Sequence, residues 1–225
     1  MEIHCIYGIN YDSNIYVIKG KNTTVIDCGT GLNSRDVADK ISEIVDLSKI
    51  KQIILTHEHY DHCGGVRDLF EKTNGKAKIF AHEKASDKIE KGESDFASML
   101  GGSMPKMPVD IKLNDNEEIL IGDEKFQILN TPGHTPGCIC LYNEKNKVLI
   151  SGDTIFAYGS FGRYDFPGGN IHDLKKSIQR LEKLDVLDIY PGHESIVKND
   201  GNSHLKKSLE NISSIIWIWQ IRGLF

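Results

Sequence analysis

The chain has 225 residues, of which 39% are hydrophobic and 26% charged, and its formal net charge is −5 at pH 7. That length and balance predict one water-soluble domain spanning residues 1–225, with enough apolar side chains for a core. The acidic balance counts against nucleic acid as a partner, and the lysine pairs Lys175-Lys176 and Lys206-Lys207 read as solvated helix faces.

In chain order, residues 14–19 and 23–27 read as strands around a turn at 19–22. Asn33 or Ser34 is expected to cap a helix running to residue 45, with Val37, Ile41 and Ile44 on its buried side. Residues 50–56 form an apolar, β-rich run that reads as a buried strand. Gly64 and Gly65 then permit a bend into a helix over 66–73. A strand at 78–81 and a helix at 83–90 follow. The Gly-, Pro- and Met-containing segment 91–108 reads either as a flap lined by Met99, Met104 and Met107 or as an ordinary surface loop. Residues 117–121 and 124–129 predict a hairpin across Gly122-Asp123, and residues 138–142 and 147–151 predict another. A helix over 172–184 leads to a strand at 186–190, and the tail is expected to hold one helix over 203–214. The aromatic run 215–219 is compatible with a core cap, a partner contact or an atypical terminus.

Chemistry concentrates where these elements end. The run Thr56-His57-Glu58-His59-Tyr60-Asp61-His62-Cys63-Gly64-Gly65 places three imidazoles and a carboxylate within six positions. In an extended chain His57 and His59 share a face. Three more donors sit in punctuated turns: His134 in Thr131-Pro132-Gly133-His134, Asp153 in Ser151-Gly152-Asp153, and His193 in Pro191-Gly192-His193. Imidazole nitrogen and carboxylate oxygen suit borderline divalent metals. One site is read as His57, His59 and His134, the other as Asp61, His62 and His193, with Asp153 bridging. Two divalent ions are therefore expected, zinc first, with iron or manganese as substitutes. Sites left open by the protein are catalytic rather than structural. Asp61 is also expected to orient the attacking hydroxide. Asp27 reads either as an acceptor behind a ligand histidine or as a turn residue. Arg163 reads as an anion contact or loop clamp near the substrate, or else as the partner of Asp165, and Tyr164 as a ring that stacks on or shapes the pocket. His4, His82, His172 and His204 lack ligand spacing.

The same residues carry a resemblance. Thr56 to Gly65, Gly133-His134-Thr135, Ser151-Gly152-Asp153, Gly192-His193 and the early Val25-Ile26-Asp27-Cys28-Gly29 resemble the motifs of metallo-β-lactamase-fold hydrolases, over residues 1 to about 200. The loop Phe161-Gly162-Arg163-Tyr164-Asp165-Phe166-Pro167-Gly168-Gly169 is similar to one in short relatives of the type II glyoxalases. The resemblance implies an α/β fold, a four-layer αββα sandwich of two similar halves with the metal site at the sheet edge. It also implies hydroxyacylglutathione-hydrolase-like chemistry. The tail is too short for the separate C-terminal helical domain of type II glyoxalases, so none is expected.

No extra general acid stands near the motifs, which favours a leaving group that needs no proton, such as a thiolate. The expected activity is hydrolysis of a small-molecule thioester. The rivals are a lactone or other ester hydrolase, an oxidoreductase resembling persulfide dioxygenases with one iron on His57, His134 and Asp153, and a scaffold that merely retains metal. Five cysteines in scattered settings suggest free thiols in a reducing compartment, with Cys63 in a packing role. The N-terminus shows no leader pattern, and no apolar stretch reaches the roughly 20 residues that cross a bilayer. A cytoplasmic protein without a membrane partner is expected, and a homo-oligomer is compatible with the chain.

Overall fold

The computed structural model describes residues 1–221, with side chains through Ile218. Six strands build the first sheet: β1 (Ile3–Ile6), β2 (Ile15–Ile18), β3 (Thr24–Ile26), β4 (Gln52–Leu55), β5 (Lys78–His82) and β6 (Ile111–Leu113), side by side in chain order. The first three pair antiparallel and β3 through β6 pair parallel. The second sheet holds β7 (Glu118–Ile121), β8 (Glu124–Asn130), β9 (Ile139–Asn143), β10 (Val148–Gly152) and β11 (Asp188–Pro191), in the order β11-β10-β9-β8-β7. Six α-helices accompany them among the described residues: α1 (Ser34–Ile44), α2 (Tyr60–Cys63), α3 (Val66–Lys72), α4 (Glu83–Lys91), α5 (Ile171–Leu181) and α6 (Gly201–Ile221).

The layering follows from alternation along strands that are apolar on both faces. In β4, Ile53 and Leu55 pack outward with Val37 and Ile41 of α1, Leu69 of α3 and Ile89 of α4. Ile54 between them points inward, to join Ile26, Phe126, Ile128 and Leu141 in a layer between the two sheets. In β10, Leu149 packs outward with Leu174 and Ile178 of α5 and Leu205 of α6, while Val148 and Ile150 point inward. Helix, sheet, sheet, helix is the result, an αββα sandwich. The two-sheet layer is fully dry at its centre, with Ile26, Ile54, Phe126, Ile128 and Leu141 all 0% exposed.

Three local expectations change. Asn33 does not cap α1 with its side chain. Its amide instead donates to Asp12 Oδ2 at 2.9 Å, because that buried carboxylate needs donors. Helix α6 is longer than residues 203–214: Leu205, Ile212 and Ile216 are buried, with Leu209 half-buried on the same stripe, so the helical face continues through the aromatic run. Within that run Ile216 caps the second half, Trp217 and Ile218 are exposed, and the side chain of Trp219 lies outside the described residues. In segment 91–108, Met104 and Met107 are buried in the first half's core, and Met99 alone of the three stays exposed.

Candidate metal centre

Topology explains why distant motifs meet. Strands β3 and β4 run parallel. Strand β10 runs parallel to β11 and antiparallel to β9, which is antiparallel to β8, so β8, β10 and β11 share one direction. Each donor follows the C-terminal end of one of these strands: Asp27 after β3, His57 and His59 after β4, His134 after β8, Asp153 after β10 and His193 after β11. The single turn α2 supplies Asp61 and His62. The centre therefore sits at one edge of the sandwich, where ligand sites of open α/β sheets form.

Two donor groups result. His57, His59 and His134 form one, and Asp61, His62, Asp153 and His193 the other; within each, the donor atoms lie within 4.8 Å of one another. Asp153 stands between them. Its Oδ1 is 3.2 Å from His62 Nε2, and its Oδ2 is 3.4 Å from His134 Nε2 and 3.6 Å from His193 Nε2. The Asp153 carboxylate thus lies between the two donor groups.

The ring nitrogens converge beyond what shared protons can satisfy. His134 Nε2 lies 2.8 Å from His59 Nδ1, and His62 Nε2 lies 3.3 Å from His193 Nε2. Among the described residues the buried His57 Nε2 and His59 Nε2 have no hydrogen-bond partner, and Asp153 Oδ1 has only its ion-pair contact with His62. Groups stripped of water in this way cost free energy unless something satisfies them. Nitrogen and carboxylate donors around an open position are what divalent borderline metals take, so the residues present fit such ions.

Electrostatics divides the groups. Burial, reinforced by its imidazole neighbours, pushes His57 well below its ordinary pKa. Burial together with His134 pushes His59 down to about 3, so both are neutral, ready lone pairs. Burial opposes charge on His62 too, but the carboxylates of Asp153, Asp27 and Asp61 outweigh it and hold that imidazole well above its usual value. Asp153 moves the opposite way: burial would raise it, and His62 and His193 pull it well below the carboxylate range. Without ions, the second group is a knot of opposite charges that a cation can replace.

Backbone and outer partners fix which nitrogen faces inward. His62 Nδ1 donates to Asp27 Oδ2 at 2.8 Å. The same carboxylate accepts from Thr56 N and Thr56 Oγ1, each at 2.8 Å. Asp27 therefore stands behind His62, in the left-handed region at φ 62° and 1% exposed. His134 Nδ1 donates to the carbonyl of Arg163 at 2.6 Å. The loop after Asp153 thus touches a ligand through its main chain. Gly162 explains itself here, since a Cβ would meet the Asp153 carbonyl at 2.0 Å and His134 Nδ1 at 3.0 Å. The Arg163 guanidinium is spent on Asp165, at 2.9 and 2.6 Å, and stacks over Phe166 with 4.0 Å to the ring centroid. Tyr164 packs beside Phe161 against the second core and is not among the cavity's lining residues.

Several residues escaped the sequence reading. Glu58, buried between two ligand histidines, accepts from Thr135 Oγ1 at 2.8 Å and so ties the β4 turn to the His134 turn. Asn14 donates to the carbonyls of Pro191 and Glu194, both at 3.0 Å, and Tyr16 Oη to that of Pro191 at 2.6 Å, pinning the His193 loop to the first sheet. Ser13 N donates to the Asp61 carbonyl at 2.9 Å. Their only signal was position beside a strand. Cys63 donates its thiol to the His59 carbonyl at 3.0 Å inside the core, and all five cysteines are free.

Gly133 shows how tightly the His134 turn is held. Its φ is 136°, and a Cβ would lie 2.2 Å from Leu174 N and 2.3 Å from Leu174 Cα at the start of α5. We expect Gly133→Ala to lower stability by roughly 3 kcal/mol and to weaken metal retention with it. Chemical denaturation and metal analysis of the same sample check this; an unchanged midpoint with full metal content would contradict the packing described.

The fold and its paired donor groups define a class, the metal-dependent hydrolases with open metal sites. Residues 9–193 match the model of the metallo-beta-lactamase superfamily, and the chain belongs to that superfamily. It is 36% identical over 194 residues to a probable metallo-hydrolase of Methanocaldococcus jannaschii, a span covering 84% of this chain and 91% of that protein. It is 30% identical over 152 residues to a hydroxyacylglutathione hydrolase of Ectopseudomonas mendocina, covering 67% of this chain and 49% of that protein. Among solved structures, the crystal structure of the BLEG-1 B3 metallo-beta-lactamase superposes with a TM-score of 0.76 at 26% identity, covering 90% of this chain and 96% of that one. No helix among the described residues is long and apolar enough to cross a membrane.

Proposed function

We propose that this chain hydrolyses thioesters, with two divalent ions held by His57, His59 and His134 and by Asp61, His62 and His193, and with Asp153 shared between them. Bound there, such ions supply a hydroxide nucleophile near neutral pH and polarise the carbonyl. The observation that carries the reading is the absence, among the described lining residues, of a sunken proton donor outside the ligand set. The Tyr11 phenol is 62% exposed at the rim, and Arg163 is committed to Asp165. A leaving group here departs as an anion, which a thiolate does readily and an amine does not.

The chain's own groups do the positioning. Asp61 is the ligand carboxylate most open to the cavity, 24% exposed, with Oδ2 held 3.1 Å from His193 Nε2. It orients the attacking water by accepting from it. The water oxygen bonds to the acyl carbon, the C–S bond breaks, and the sulfur leaves with the electron pair. One water proton ends on the carboxylic acid product or solvent, and the other reaches the thiolate. Phe96, Phe156 and Phe166 line the cavity beside the donor groups and offer the substrate an apolar surface there.

Similarity to hydroxyacylglutathione hydrolases supports the thioester choice. Elemental analysis of purified protein, run beside a panel of thioesters, lactones, a β-lactam and a persulfide, tests it. Two metals per chain with thioester turnover at least tenfold above the other substrates is the expected result. One iron with thiol-dependent oxygen uptake, or preference for the lactam or lactone, would overturn it.

A further inference from the structure

The wall above the ligands is aromatic on both sides of the centre. Phe96 and Phe166 pack ring to ring at 4.5 Å, and their centroids lie 5.4 and 6.2 Å from the His59 ring. Across the centre, Phe156 lies 6.0 Å from the His193 ring. The cavity between them is about 420 Å³, and Met99 and Leu100 complete its outer side. Asn10, Tyr11 and Leu100 also border an adjoining, smaller groove of about 320 Å³ that reaches Leu32. Arg163 is the only cationic Lys or Arg side chain among the described residues lining either space, and Asp165 neutralises it.

Resting on the thioester reading, we propose that the substrate carries an uncharged, apolar acyl group, a medium-length chain or an aryl ring, seated against Phe96, Phe166 and Phe156. The thiol arm lies in the groove toward Leu32 and needs no carboxylate. Two features carry this. An acyl group whose carbonyl sits beside His59 meets the Phe96–Phe166 pair, where burial of each methylene is favourable. A thiol bearing free carboxylates would meet no uncommitted arginine or lysine among the described residues lining these spaces, so charges buried there would be desolvated without compensation. The Arg163–Asp165 pair and the stacking on Phe166 hold that wall in place rather than offering a binding charge.

The test uses the full-length, metal-loaded protein. Acetyl, hexanoyl and benzoyl thioesters are prepared on one neutral thiol, N-acetylcysteamine, and on glutathione. For a given thiol, kcat/KM should rise at least tenfold from acetyl to hexanoyl or benzoyl, and glutathione should bring less than a threefold gain for a given acyl group. Calorimetry with acetohydroxamate and octanohydroxamate supplies a readout independent of turnover: the octyl probe should bind at least tenfold tighter. Phe166→Ala should erase most of that ratio, and Phe166→Leu should keep part of it. Flat kinetics across the acyl series, a strong preference for glutathione, or equal hydroxamate affinities would overturn the proposal while leaving thioester hydrolysis standing. Tight octyl binding without any thioester turnover would sink the thioester reading and leave the apolar acyl site in place.

Discussion

His59→Ala is expected to abolish thioester turnover and strip metal from the centre while leaving the fold intact. The imidazole is 6% exposed and kept neutral by burial, and its ring faces His134, His57 and Phe96. Removing it deletes a donor from a group of three. The backbone at this position is unaffected, because His59 lies at φ −70° and ψ 145°, which alanine adopts freely. Its carbonyl still accepts from the amides of His62 and Cys63 at 3.1 Å. We expect kcat/KM to fall by roughly three orders of magnitude or more, equivalent to about 4 kcal/mol of transition-state stabilisation. Circular dichroism, metal content and turnover on one preparation decide the matter. Full turnover in the variant would remove His59 from the ligand set.

Asp27 gives the second large effect, through support rather than ligation. Three buried donors depend on its carboxylate: Thr56 N, Thr56 Oγ1 and His62 Nδ1. Asp27→Ala leaves Thr56 N without its acceptor and reduces Thr56 Oγ1 and His62 Nδ1 to the longer contacts at 3.1 Å to His57 Nδ1 and 3.4 Å to each other, at about 1–3 kcal/mol for each buried group left unsatisfied, and it forces alanine into the left-handed region. A loss of roughly 3–5 kcal/mol is expected, read by denaturation of the metal-stripped protein. Asp27→Asn separates the roles. Asparagine tolerates positive φ and still accepts from Thr56 N, but its amide nitrogen cannot accept from His62. Its stability cost should be smaller, while metal affinity drops by about 10–100-fold, as for other outer partners of metal ligands. Competition with a chelator measures that drop. If the asparagine variant held metal as tightly as the parent, the His62 orientation would have to come from elsewhere.

The comparison of sequence with structure divides along the range of the interactions. Segments whose character is local were legible: the buried strand before His57, the hairpin around Gly122, and the ligand turns marked by Gly and Pro. The two donor groups were legible as candidate metal ligands because such chemistry needs particular side chains at fixed offsets. Helix ends were less so, since Asn33 has a capping residue's chemistry but answers a stronger demand from Asp12, and α6 outruns its expected end along one apolar stripe. The substrate wall was hidden almost entirely. Phe96 and Phe156 carry no motif, and Phe166, although part of the singled-out loop 161–169, meets Phe96 beside the centre only through loops at one sheet edge. Arg163 shows a further limit. Its position near the site was readable, but its commitment to Asp165 and the use of its carbonyl rather than its guanidinium were not.

The donors come from distant parts of the chain: Asp61 and His193 are 132 residues apart, and the supporting pair Asn14 and Pro191 is 177 apart. Such contacts close late, after the entropy of a long loop has been lost. During synthesis the first donors therefore leave the ribosome well before their partners exist. The nascent chain holds only part of the donor set for most of its production, and the full seven-residue constellation assembles only when the final strand docks.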